Sequence, residues 1–191
     1  RNTVRRALGM LADGMFVQPI HGKGVRVIWL KGETDMLGAL EEVESFGEFA
    51  KRNNAVASTD VKSFEHLVCT EQLSRRLGFK VGEKLIRVVR VRSLNGNARQ
   101  VDHGYFLESI AKGLTPEIAA KSIYDYLEHK RGVKVMASRR TVSVELANDE
   151  DCSYLDLGKY NCVAVMESQS YTSDGILFEV THARTHPEIF H

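Results

Sequence analysis

Two pairs of strand-like stretches, each joined across a turn signal, constrain this chain more than any other feature. Leu85 to Ser93 reads as a strand and is followed by Asn95-Gly96-Asn97 and a second strand to about Phe106. Cys162 to Tyr171 and Ile176 to Thr185 flank Ser173-Asp174-Gly175 in the same way. Strands joined by so few residues must run antiparallel. Helix signals lie between them. Phe46, Phe49 and Ala50 suggest a short helix, and Thr70 caps a helix carrying Leu73 and Leu77 that closes at Gly78. Thr115-Pro116-Glu117 supplies an N-cap, an N1 proline and a first-turn acid, opening a helix towards Tyr126 and Leu127. Val133 to Leu146 is strand-like, and Asn148 caps a short acidic-headed helix ending at Gly158. Mostly antiparallel strands with helices between them make the fold class α+β.

Composition narrows the class of molecule. The 191 residues carry 26 Lys+Arg against 25 Asp+Glu, and 43% are hydrophobic. That balance excludes a disordered chain and a uniformly basic nucleic-acid binder, while leaving a local basic patch open. No run approaches the roughly 20 apolar residues that cross a bilayer, so no membrane role is expected. Cys69, Cys152 and Cys162 are odd in number and lack CxxC spacing, which reads as reduced thiols in a cytoplasmic protein. His182 and His186 stand at i, i+4 on a strand-like segment, where that spacing is too wide for a metal pair. No metal site or cofactor is expected. No nucleophile-elbow context surrounds any serine.

Residues 1–27 have a different charge balance. Arg1, Arg5, Arg6, Lys23 and Arg26 face one acid, Asp13. Val4, Ala7, Leu8 and Leu11 recur at i, i+3, i+4 and i+7, the stripe of an amphipathic helix, with Gly14 at its C-cap. Met15 to Ile20 reads as a strand, His21-Gly22-Lys23-Gly24 as a tight turn, and Val25-Arg26-Val27 as its return. A helix and one hairpin bury too little for a core, so further residues are expected before Arg1. From Trp29 to about Leu40 the pattern weakens around Gly32, Glu33, Thr34, Asp35 and Gly38, which reads as a linker.

Thr3-Val4-Arg5-Arg6-Ala7-Leu8, Leu11, Gly14 and Gly22-Lys23-Gly24 together resemble the second half of a GntR-family winged helix-turn-helix. The resemblance implies that the helix is a recognition helix and the hairpin a wing. Arg1, Thr3 and Arg5 then face the major groove, and Gly22, Lys23 and Gly24 meet phosphates. A basic surface helix beside an ordinary hairpin is the alternative. Further along, Leu77-Gly78, Arg90-Val91-Arg92, Ser122 through Glu128, Asp174-Gly175 and Phe178-Glu179 through Arg184 resemble the UTRA effector domain of the HutC-type branch. That resemblance implies a truncated winged helix-turn-helix remnant over 1–28, a linker over 29–40, and a chorismate-lyase-like antiparallel sheet domain with helices over 41–191. Ser122–Glu128, Leu155-Asp156-Leu157-Gly158 and Asp102 are most similar to trehalose-operon repressors.

Alternation on the first strand sets Val88, Arg90 and Arg92 on one face and Val89 and Val91 on the other. Two guanidinium forks spaced this way suit a phosphate or carboxylate, though a solvated sheet face remains open. A two-residue Asn95-Gly96 turn would oppose Arg92 to Arg99. A three-residue Asn95-Gly96-Asn97 loop would pair Arg92 with Gln100 and Arg90 with Asp102, and this register is the one expected. The resemblance adds Ser122 and Tyr124, on the helix that closes the family's effector cavity, and Ser45 and Phe46, in the loop entering that domain. In sugar-phosphate relatives a Thr often stands at the place of Gly47. Glu179 corresponds to an effector-facing acid in some relatives, where trehalose-type relatives carry Gln, with a sugar hydroxyl or Arg184 as its candidate partner and a structural salt bridge as the alternative.

These readings describe a cytoplasmic, ligand-responsive repressor that binds operator DNA, in all expectation as a homodimer. The implied effector is a phosphorylated sugar, with trehalose 6-phosphate leading. The competing class is a small-molecule enzyme on the chorismate-lyase-like fold, against which the recognition helix and wing argue.

Overall fold

Residues 2–14, 16–28 and 46–190 are described by the computed structural model. The expected linker, Arg1 and Ser45 lie outside them. Helix α1 (Asn2–Asp13) leads into a hairpin of β1 (Val17–Ile20) and β2 (Gly24–Val27). Then come α2 (Phe46–Arg52), β3 (Ala57–Val68), α3 (Glu71–Leu77), β4 (Lys84–Leu94) and β5 (Asn97–Leu107). Short helices α4 (Pro116–Ala119) and α5 (Ile123–Asp125) run into a π-helical turn at Tyr126–Lys130. After these follow β6 (Val135–Leu146), α6 (Asp149–Tyr154), β7 (Cys162–Thr172) and β8 (Leu177–Thr185), with a last 3₁₀ turn at Pro187–Ile189.

Six strands form one antiparallel sheet in the order β3-β4-β5-β8-β7-β6. The two hairpins read from strand and turn signals, β4–β5 and β7–β8, are its centre. β3, a 12-residue edge strand, was not anticipated; its Ala57–Val68 sequence is polar and largely exposed, so alternation is masked. The β4–β5 turn also differs from expectation. Leu94 pairs with Asn97 across a two-residue Asn95-Gly96 turn, and both residues have positive φ, 50° and 81°. This is type I′ turn chemistry. Arg92 still pairs with Gln100 and Arg90 with Asp102, because a bulge at Arg99 absorbs one residue between Ala98 and Gln100. The register is as expected by a different route.

The expected helix from Thr115 is broken in two. Thr115 caps α4, accepting from the Ile118 amide, but Ser122 is extended (φ −119°, ψ 111°) and caps a second helix by accepting from the Asp125 amide. A second competent cap so soon after the first restarts the helix instead of continuing it. Likewise α6 ends at Tyr154, before Gly158, because Leu155 is already extended.

Both sheet faces are covered. Helices α3 to α5 and the π turn pack Leu77, Ile123 and Leu127 on Val88, Phe106 and Phe178. On the opposite face Leu155 and Leu157, beyond α6, cover Val89, Val101, Val163 and Val165. Each such side chain contributes about 1.5–3 kcal/mol by leaving water. Arg184 of β8 ties that second layer down. Its Nε donates to both carboxylate oxygens of Asp151, at 2.9 and 3.0 Å, its Nη1 to Glu145 at 2.5 Å and its Nη2 to the Leu146 carbonyl at 3.2 Å. Asp151 is fully buried and also closes the capping box with Asn148. No helix of the described residues is long and apolar enough to cross a membrane.

Candidate functional site

Cross-strand pairing collects polar side chains onto the α5 side of the sheet. Rows of partners share a face, because side chains alternate along each strand. One row holds Arg90 and Asp102; the next holds Gly104, Thr181, Ser168 and Arg140; the third holds Phe106, Glu179, Ser170 and Ser138. Gly104 is required there by space: a Cβ would lie 2.6 Å from the Phe106 ring.

Asp102 stands between the two arginines. Its Oδ2 accepts from Arg90 Nη2 at 2.5 Å and from Arg92 Nη2 at 2.8 Å. The side chains of Arg90 and Asp102 are only 5% and 3% exposed, so water screens this pair little. Burial alone would raise the Asp102 carboxyl, but the two guanidiniums outweigh it and hold the group below the usual carboxylate range. Arg92 is lowered by burial and by Arg90 beside it, yet a guanidinium keeps its proton in proteins. Two cations against one ionised carboxylate leave a net positive charge. Arg90 Nη1 also donates to the Ala119 carbonyl at 3.4 Å, and the Arg92 guanidinium lies 5.3 Å from the Phe46 ring centre. The Nε atoms of Arg90 and Arg92 are buried with no hydrogen-bond partner among the described residues. Buried donors left in this state are costly unless a ligand satisfies them.

Tyr124 and Glu179 make the other end. The Tyr124 hydroxyl donates to Glu179 and lies 3.0 Å from Ser170 Oγ, which reaches Ser138 Oγ at 3.5 Å. Burial raises the Glu179 carboxyl, against the lowering effect of the Tyr124 and Ser170 bonds. Burial and then Glu179 push the Tyr124 phenol well above its ordinary value. The site therefore offers an anion-attracting end and a hydroxyl-reading end on one face.

The expected residues fare differently. Arg90, Arg92, Asp102, Tyr124 and Glu179 come together, and Phe46 joins through Arg92. Phe46 begins helix α2 instead of lying in a loop. Ser122 is exposed and its hydroxyl is engaged as the α5 cap. Arg184 is no partner for Glu179. The two have opposite parity on β8, and Arg184 binds Asp151 and Glu145 on the other face. Ser138, Ser168, Ser170 and Thr181 were missed, because placing them needs the pairing of β8 with β7 and of β7 with β6. Parity along β8 alone would have separated Arg184 from Glu179. Among the described residues no group of three or more His, Cys, Asp or Glu could hold a metal ion.

At the N-terminal end Thr3 and Arg5 are exposed on α1, and Val4 and Leu11 of its apolar stripe are exposed as well. Gly22 and Gly24 have φ of 72° and 97°, which shape the hairpin tip around Lys23.

Known proteins share this architecture. The UTRA domain family model matches residues 52–191. The chain is 30% identical over 184 residues to the HTH-type transcriptional regulator TreR of Bacillus subtilis (strain 168), spanning 96% of this chain and 76% of that protein. The solved effector-binding domain of the B. subtilis trehalose repressor is 28% identical, with a TM-score of 0.64 over 70% of this chain and 93% of that one. The possible transcriptional regulator YydK of B. subtilis shares the fold over all of this chain and 80% of its own, with a TM-score of 0.69 at 22% identity. These relatives are transcription regulators, not enzymes, and the enzyme alternative falls with that finding. The chain belongs to the UTRA-domain family of GntR-type transcription regulators.

Proposed function

We propose that this protein is a cytoplasmic repressor that releases operator DNA when a phosphorylated sugar binds its UTRA domain. The observation that carries the reading is the pair of guanidiniums, Arg90 buried and Arg92 half-buried, held by Asp102 with their buried Nε atoms unsatisfied. A phosphate monoester can accept from those forks through several oxygens. Asp102 then takes sugar hydroxyls beside the phosphate, and Glu179, Tyr124 and Ser170 take those further along. Ser45, Phe46 and Ser122 border the phosphate end in this reading. Likeness to TreR supports trehalose 6-phosphate as the leading effector.

Residues 1–28 belong to the DNA-binding unit, 29–40 to a linker and 41–191 to the effector unit. Arg1, Thr3 and Arg5 read the major groove, while Gly22, Lys23 and Gly24 hold phosphate. The protein acts as a homodimer on a pseudo-palindromic operator. Effector binding favours an arrangement of the recognition helices that no longer matches the half-site spacing, a coupling between two sites. A thermal-shift screen against sugar phosphates tests this. A ligand at 100 times its Kd stabilises by about 2.7 kcal/mol. Stabilisation by trehalose 6-phosphate and not by trehalose is expected, and a panel with no stabilising sugar phosphate would remove the reading.

A further inference from the structure

The wing does not stand free of the effector unit. Gln18 of β1 is buried, and its Nε2 donates to the Thr172 carbonyl at 2.9 Å. Lys23, at the wing tip, lies 3.3 Å from Asp174 Oδ1. Between these contacts sits Gly175, whose φ is +70° and whose Cβ, if present, would fall 2.9 Å from both Arg26 Cδ and Ile20 Cδ1. Thr172, Asp174 and Gly175 all belong to the β7–β8 hairpin end.

We propose that this hairpin end is a docking seat for the wing, and that DNA phosphates compete with Asp174 for the Lys23 ammonium. Three features fit a reversible seat. The Lys23–Asp174 pair is 68% and 60% exposed, so it is weak and readily exchanged for a phosphate. Gln18 Oε1 is buried with no hydrogen-bond partner among the described residues, which leaves the interface imperfectly satisfied. Gly175 is needed twice, for its left-handed backbone and for the close approach of the wing. A wing engaged here holds its cation against the protein, so the seat opposes DNA binding.

The seat also adjoins the polar face. Thr172 lies two residues beyond Ser170, and β8 runs from the hairpin into Glu179, the register partner of Ser170. A ligand that moves Ser170 or Glu179 therefore acts on the hairpin through two short segments of strand. This last link and the competition by DNA rest on the proposed function; the seat itself does not.

Zero-length carbodiimide cross-linking, read by peptide mass spectrometry, tests the seat in the full-length protein. The reagent joins an ammonium and a carboxylate only when they touch. A Lys23–Asp174 cross-link is expected in the free protein. Its yield should fall severalfold with a saturating 30-base-pair mixed-sequence duplex at low salt. It should also fall in Gly175→Asn, because asparagine tolerates the left-handed turn while its Cβ meets Arg26 and Ile20. Asp174→Asn should tighten duplex binding by up to about fivefold, whereas Glu128→Gln, an equal loss of charge in the π turn, should not. Absence of the cross-link in the free protein, or a yield that saturating duplex leaves unchanged, would overturn the proposal. A protein that forms the cross-link and binds no duplex keeps the seat and loses the DNA-binding reading, which separates the two failures.

Discussion

The two faces of the sheet each bury arginine against carboxylate, and they do so to different ends. On the α6 face, Arg184 is closed: Nε, Nη1 and Nη2 all have partners in Asp151, Glu145 and the Leu146 carbonyl. On the α5 face, two arginines share one carboxylate oxygen and leave both Nε donors unsatisfied. A closed network holds two layers together. An open one has donor capacity to spare for something else. Both clusters centre on a buried arginine–carboxylate pair, but one cation faces two carboxylates on the α6 face and two cations face one on the α5 face. Spare donors and spare positive charge together separate a ligand site from a structural cluster.

The largest effect that distinguishes them is on stability. Arg184→Ala strands Asp151 in a fully buried position and should cost about 3–5 kcal/mol in chemical denaturation. Arg92→Ala should cost less, about 1.5–3 kcal/mol, because Asp102 retains its bond to Arg90. Equal losses would erase the distinction between the faces. Smaller still is Tyr124→Phe, which removes one hydrogen bond to Glu179 and should cost about 1 kcal/mol.

Acid titration sharpens the comparison within the α5 face. The Asp102 carboxyl is lowered in the folded protein, so its contribution is present above its ordinary pKa and is lost as pH falls through the folded value. The Glu179 carboxyl is raised, so the folded state binds the extra proton. Stability should then fall as pH climbs from the ordinary glutamate value towards the raised one. Denaturation measured across acidic to neutral pH should show that decline in the wild type and lose it in Glu179→Gln. A decline of equal size in the variant would assign it to another group.

Much of this was legible in the residues. The β4–β5 and β7–β8 strands announced themselves because runs rich in apolar and β-branched residues are buried on both faces and the turns between them carry Asn-Gly and Asp-Gly. The Arg90–Asp102 pairing was legible too, although the bulge at Arg99 that produces it was not, since a bulge of this kind leaves no mark on an already polar stretch. β3 was hidden by its exposure at the sheet edge. Ser168, Ser170 and Thr181 carry no local signal, because their face has meaning only once β8 is laid between β5 and β7. The wing seat was equally invisible: Gln18 and Thr172 are more than 150 residues apart in sequence.

The most direct test of the open cluster is calorimetric titration of trehalose 6-phosphate, with trehalose alongside, into wild type, Arg90→Ala, Arg92→Ala and Arg184→Ala. Charge-assisted bonds of about 1.5–3 kcal/mol predict that either α5-face variant binds the phosphorylated sugar ten- to over a hundredfold more weakly. The folded fraction of Arg184→Ala should bind it as the wild type does, and trehalose should bind none of them comparably. Equal affinity across wild type, Arg90→Ala and Arg92→Ala, or a sugar that binds equally well without its phosphate, would contradict the account.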